Sequence, residues 1–153
     1  MSQTAQQRRQ QQVDREIRLE AARRAAYGAL IDASKQLSAA WWRVADQLRD
    51  ATSTPEQWQE SAAAAHAAWM RFSTTVASVT VAGPGPVAEA ADSLRRAMSA
   101  LDKAGMDWHK AARCEGTGLI EACDAHYRHA AKAKRVPGSE FQLAARRALN
   151  AED

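Results

Sequence analysis

Breakers are scarce in this chain. It holds four prolines and seven glycines in 153 residues, and residues 1–50 contain no proline and one glycine, Gly28. Strand-like alternation is missing as well, and β-branched runs are few, which excludes sheet-based folds. The two cysteines, Cys114 and Cys123, are too few for a disulfide framework. No apolar run follows the first methionine, whose neighbours are rich in Gln and Arg. The most apolar stretch, residues 62–70, is short and interrupted by His66. Neither a secretory leader nor a membrane span is therefore expected, and the predicted location is the cytoplasm.

Catalytic signatures are equally missing. There is no G-x-S-x-G, H-E-x-x-H, Walker-type loop or G-x-G-x-x-G. The glycines at 83 and 85 alternate with prolines, which withhold the amide donors a phosphate cradle needs. A di-iron carboxylate centre requires Glu-x-x-His pairs pointing into a helical core. None occurs: Glu121 is followed at the third position by Asp124, and His126 is preceded there by Cys123. The chain is expected not to be an enzyme and to need no cofactor.

What the sequence does contain is apolar residues at helical spacing. Hydrophobic residues make up 46%, many of them alanine, the best helix former, with five tryptophans among the larger anchors. Three segments carry heptad stripes. The first runs Tyr27, Leu30, Ser34, Leu37, Trp41, Val44, Leu48, and the second Trp58, Ala62, Ala65, Trp69, Phe72, Val76, Val79. The third runs Val87, Ala91, Leu94, Met98, Leu101, Gly105, Trp108, Ala112. Every step is three or four residues, so each set lies on one side of a helix that must find another helix to cover it.

Turn chemistry separates the segments. Thr54, Pro55 and Gln57 read as N-cap, N1 and N3 of a capping box. Residues 82–86, Ala-Gly-Pro-Gly-Pro, are the strongest breaker, with Pro86 suited to open a helix. Gly116 and Gly118 break or kink the third helix. Thr117 is a cap for a fourth over about 118–134. The stretch from Pro137 to Ser139 should stop that helix, and Ser139 with Gln142 should start a short last one with Phe141, Ala145 and Ala148 or Leu149 on its apolar side. Short links force antiparallel neighbours. The predicted fold is all-α: an antiparallel up-down four-helix bundle with a long N-terminal helix and a short extra C-terminal helix. Residues 1–23 form a polar, basic arm, frayed over 1–12, and residues 24–150 the bundle.

Charge is unevenly placed. Residues 1–24 hold six arginines against three acids, an excess equal to the +3 of the whole chain, so residues 25–153 are neutral. Such an arm can attract an acidic partner or phosphate, or simply be a solvated surface. Arg8, Arg9, Arg15 and Arg18 are its candidate partner-binding residues. Trp42 joins them, because it sits about 100° around the helix from Trp41 and off the apolar stripe. It is either covered by a second helix or exposed to a partner. On the fourth helix Arg128, Lys132 and Arg135 recur at i, i+4, i+7 and offer a phosphate-contacting strip, although Asp124 and Arg128 also form an ordinary i, i+4 pair. Cys114, Cys123, His126 and His129 supply zinc-type ligands as C-x8-C-x2-H-x2-H. Their spacing is poor for a metal. The last three drift by about 60° per step along one helix, and the usual tight Cys-x2–4-Cys knuckle is missing.

The segments Arg23-x3-Tyr27-x2-Leu30, then Val79 to Pro84 with Val87, Ala91 and Leu94, and Phe141-x3-Ala145-Arg146-x2-Leu149 touch most of the chain. In these the sequence resembles a loose set of small uncharacterised helical proteins of high-GC actinobacteria. That resemblance implies an all-helical fold and carries no activity or catalytic residue with it. The expected function is a non-catalytic helical-bundle interaction protein that binds a protein partner or itself, without a membrane. The alternatives are a nucleic-acid-associated accessory protein using the arm and the Arg128–Arg135 strip, and a metal-binding bundle.

Overall fold

A computed structural model describes the backbone of residues 2–150 and the side chains of residues 4–150, with five helices and, among the described residues, no strand. The helices are α1 (Ser2–Arg49), α2 (Pro55–Ala82), α3 (Gly85–Glu115), α4 (Glu121–Ala133) and α5 (Arg135–Asn150). α1 starts at Ser2, so the expected fraying over residues 1–12 is not observed from there on.

The heptad stripes are the core. All eight stripe residues of α3 are buried, Gly105 included. On α1, Tyr27, Leu30, Leu37, Trp41, Val44 and Leu48 are 2% exposed or less. On α2 the stripe is buried except at Ala62 and Trp69, which are half-buried. Small residues let the helices approach closely. A Cβ on Gly105 would sit on the six-membered ring of Trp41, so the indole fits between α1 and α3 only because position 105 has no side chain.

α1 packs most extensively against α2, and α3 touches each of the other four helices. Two hydrogen bonds tie α1 to α2 at opposite ends of the pair. Arg23 Nε donates to the Ala82 carbonyl (3.0 Å), and Ser61 Oγ donates to Gln47 Oε1 (2.6 Å). The capping box at Thr54 forms with both of its hydrogen bonds. Gly116 closes α3 in the left-handed region (φ 75°), so the chain turns there rather than kinking.

Four expectations about the C-terminal third are corrected. α4 begins at Glu121 rather than near 118, because residues 117–120 pack as a loop on the end of α1. Gly118 lies so close to the Leu48 backbone that a Cβ would overlap it, and Trp108 Nε1 donates to the Gly118 carbonyl (2.9 Å). The break before the last helix falls at Lys134, not at Pro137 to Ser139. The ring of a helical proline collides with the carbonyl four residues back, here Ala133, and α4 ends at that residue. Pro137 itself lies in the first turn of α5, where an N–H would have no intrahelical partner. Ser139 and Gln142 are therefore interior to α5 and make no cap. The last helix is also not a short appendage: at 16 residues it is longer than the 13 of α4 and packs mainly along α3. Its apolar side is the expected one, with Phe141 and Ala145 buried and Phe141 edge-on to Tyr27 at 6.3 Å between centroids.

Candidate interaction surface and the cleft between α2 and α3

The arm is the most exposed part of the described chain. α2 ends at Ala82 beside Arg23, so the turns of α1 before Arg23 continue past it for about 30 Å at 1.5 Å per residue. Arg8, Arg9, Arg15 and Arg18 are exposed there, and so are Val13 (47%), Ile17 (60%) and Leu19 (47%). Val13 and Ile17 stand one turn apart on one face, while Leu19 points to the opposite side. Apart from those of Arg23, the polar bonds of the arm are local: Gln10 to Asp14 (3.0 Å), Gln12 to Glu16 (3.4 Å) and Arg24 to Glu20 (2.9 Å).

Trp42 is exposed (54%), not covered by a second helix. It lies over Arg49, whose guanidinium is also within reach of two core rings: 5.3 Å from the Trp42 centroid, 5.6 Å from Trp108 and 5.8 Å from Tyr127. Arg49 donates from Nη2 to Asp124 Oδ1 (2.9 Å) and from Nε to both carboxylate oxygens (3.2 Å), locking the end of α1 to α4. Burial pushes the Tyr127 phenol up to about 12, against the pull of the Arg49 charge. The hydrogen bond from Arg49 holds the Asp124 carboxyl below its ordinary value, with the Arg49 and Arg128 charges adding to it. A carboxyl lowered in the folded state stabilises the fold above its unfolded pKa and stops doing so as pH falls through the folded one. Asp124→Asn should therefore cost about 1.5–3 kcal/mol near neutrality, the range for hydrogen bonds to charged groups. The gap between variant and parent should close as urea titrations are moved below pH 3.8.

The zinc-type set is not assembled. Cys114 is exposed in the last turn of α3, while Cys123, His126 and His129 step along α4. Among the described residues no three His, Cys, Asp or Glu side chains gather to hold a metal ion. The basic strip is also divided. Arg128 is paired with Asp124 (3.0 Å), level with the end of α1. Arg135 lies beyond the Lys134 joint, beside a pocket of about 490 Å3 shared with Lys35 and Lys134 near Ser34 and Ser38. Arg18 is some 45 Å along α1 from the level of Arg128 and about 24 Å from that of Ser34, so arm and strip form no continuous face.

A cleft of about 560 Å3 opens between α2 and α3, with Trp41 of α1 also lining it. On the α2 side it is lined by the small Ala62 and Ala63, flanked by Gln59 and His66, and on the α3 side by residues that include Asp102 and Met106. The half-buried carboxyl of Asp102 accepts a hydrogen bond from Trp41 Nε1 (3.0 Å). Burial raises its pKa, opposed by that bond and by the charge of a protonated His66. His109, two turns further along α3, is 8% exposed, and its Nε2 is buried with no hydrogen-bond partner among the described residues. Burial first, and then the Arg113 charge, lower its pKa and favour the neutral ring. Lys110, Arg113 and Asp107 are exposed at the rim. None of these residues stands among the expected site residues. A signal was present: Asp102 and His109 each follow a buried stripe residue, Leu101 and Trp108, at the same heptad position. In comparisons with known proteins, no family model, no curated protein and no solved structure matches the chain.

Proposed function

We propose that this chain is a non-catalytic interaction protein, an antiparallel up-down four-helix bundle whose projecting N-terminal helix associates with a protein partner or with a second copy. The ties between Arg23 and Ala82 and between Gln47 and Ser61 support the antiparallel pairing of α1 and α2. α4 and α5, joined at Lys134, share the fourth position along α3. The observation that carries the function is the arm itself. An isolated helix of this length is marginal in water, and here Val13, Ile17 and Leu19 are exposed along it. A partner helix on the Val13–Ile17 face would cover that pair and supply the missing tertiary support. The exposed Trp42 ring over Arg49 is a second contact of the kind that anchors protein interfaces. Two unbridged cysteines suit the reducing cytoplasm.

The test combines two solution measurements. Sedimentation equilibrium of the full chain reports self-association, and recovery of the tagged chain from its host, with and without nuclease, reports partners. Val13→Glu combined with Ile17→Glu should abolish the association in either assay while leaving unfolding of the bundle unchanged, since both side chains are exposed. Association that ignores the double variant would overturn the proposal. Association lost on nuclease treatment would replace it with the nucleic-acid alternative, in which salt dependence should be steep.

A further inference from the structure

We infer that the cleft between α2 and α3 is a binding site for a small zwitterionic, peptide-like ligand, its ammonium on Asp102 and its acid group among Lys110 and Arg113. This is independent of the arm. About 560 Å3 falls in the range of small-molecule sites, and its polar groups differ in burial, with His109 buried, Asp102 half-buried, and Lys110 and Arg113 exposed. The inner end offers an anionic acceptor: Asp102 uses one oxygen on Trp41 Nε1, and its carboxylate would be favoured by a bound ammonium. Next along α3 comes His109, whose buried Nε2 lacks a partner among the described residues, a cost that a ligand amide would remove. The rim offers the cations.

The spacing sets the ligand's length. Asp102 to Lys110 is eight residues of helix, about 12 Å, and the Arg113 side chain leans back toward the cleft as helical side chains do. An extended tripeptide spans about 10 Å between its ends. Its middle side chain would lie against Ala62, Ala63 and Met106, and a backbone amide would come level with His109. With Asp102 and Asp107 balancing Lys110 and Arg113, a molecule of no net charge is the complementary one.

The probe is alanyl-leucyl-alanine, titrated into the full chain while the imidazole resonances of His66 and His109 are followed by NMR. The free tripeptide should shift both rings saturably. Its N-acetylated and C-amidated forms, each lacking one terminal charge, should bind at least about tenfold more weakly. Asp102→Asn should weaken the free peptide by about the same factor, while the amide oxygen of the new side chain still accepts from Trp41. Ala63→Leu, on the exposed side of α2, should block the cleft without reaching the core and serves if Asp102→Asn does not fold. The inference is overturned if neither ring shifts saturably, if the acetylated peptide binds as well as the free one, or if binding survives Asp102→Asn or Ala63→Leu.

Discussion

Trp41→Ala is expected to lower the unfolding free energy by about 3–5 kcal/mol, a large fraction of what a domain of this size possesses. Trp41 is 2% exposed and wedged between α1 and α3, and nothing on α3 can follow it inward, because the position it meets is Gly105. A cavity that cannot collapse sits at the costly end of the range. Trp41→Phe should cost less in packing but also deprive Asp102 of its indole donor. The sharper expectation is a change of sign at position 105. In the parent chain Gly105→Ala sets a Cβ on the Trp41 ring and should destabilise by about 1–3 kcal/mol. In the Trp41→Ala background the same change meets open space and should stabilise by up to about 1 kcal/mol, the helix propensity of alanine over glycine. Urea unfolding of the four chains in a double-mutant cycle measures this. Additive effects would mean that ring and glycine do not meet.

Gly118→Ala should be the most damaging single methyl that can be added. A Cβ there would lie 2.6 Å from Leu48 Cα and 2.7 Å from its carbonyl carbon. These are backbone atoms of α1 and cannot rotate away as a side chain could. The cost is expected at or above the top of the usual overpacking range, about 3 kcal/mol. The loop should lift from α1 and take with it the bond from Trp108 Nε1 to the Gly118 carbonyl. Hydrogen exchange should accordingly quicken at residues 117–124 and at the end of α1 before it does elsewhere. Gly116→Ala is the matched control. Its Cβ meets nothing, and only the left-handed backbone (φ 75°) is strained, at about 1–2 kcal/mol.

The parts of the fold that could be read in advance are those governed by local periodicity. The stripes from Tyr27 to Leu48, Trp58 to Val79 and Val87 to Ala112 locate the core, since burial of a helix face follows from spacing alone. The capping box at Thr54 was legible for the same reason, being a local arrangement of three residues. The Lys134 joint was not. Pro137 and Gly138 mark a break, but the collision caused by a proline falls four residues upstream of the ring, and residues after it can resume a helix. The fate of Trp42 depended on whether a second helix covered that side of α1, which no local pattern encodes. The cleft lay further out of reach. Asp102, His66 and Trp41 come from three helices, and what brings them together is the axial register of those helices, to which the fit of the Trp41 indole against Gly105 contributes between α1 and α3. The drift of Cys123, His126 and His129 around α4, by contrast, was legible from their spacing alone.

The length of α1 has a consequence for how the molecule moves through solvent. At 1.5 Å per residue its 48 residues span about 72 Å, whereas a globular chain of 153 residues has a radius of gyration near 15 Å. A rod of that length on a body of that size raises the frictional ratio and slows end-over-end tumbling relative to spin about the long axis. A monomer of 16.7 kDa will thus leave a sizing column early, at the position of a heavier compact protein. Elution volume alone would count one chain as two.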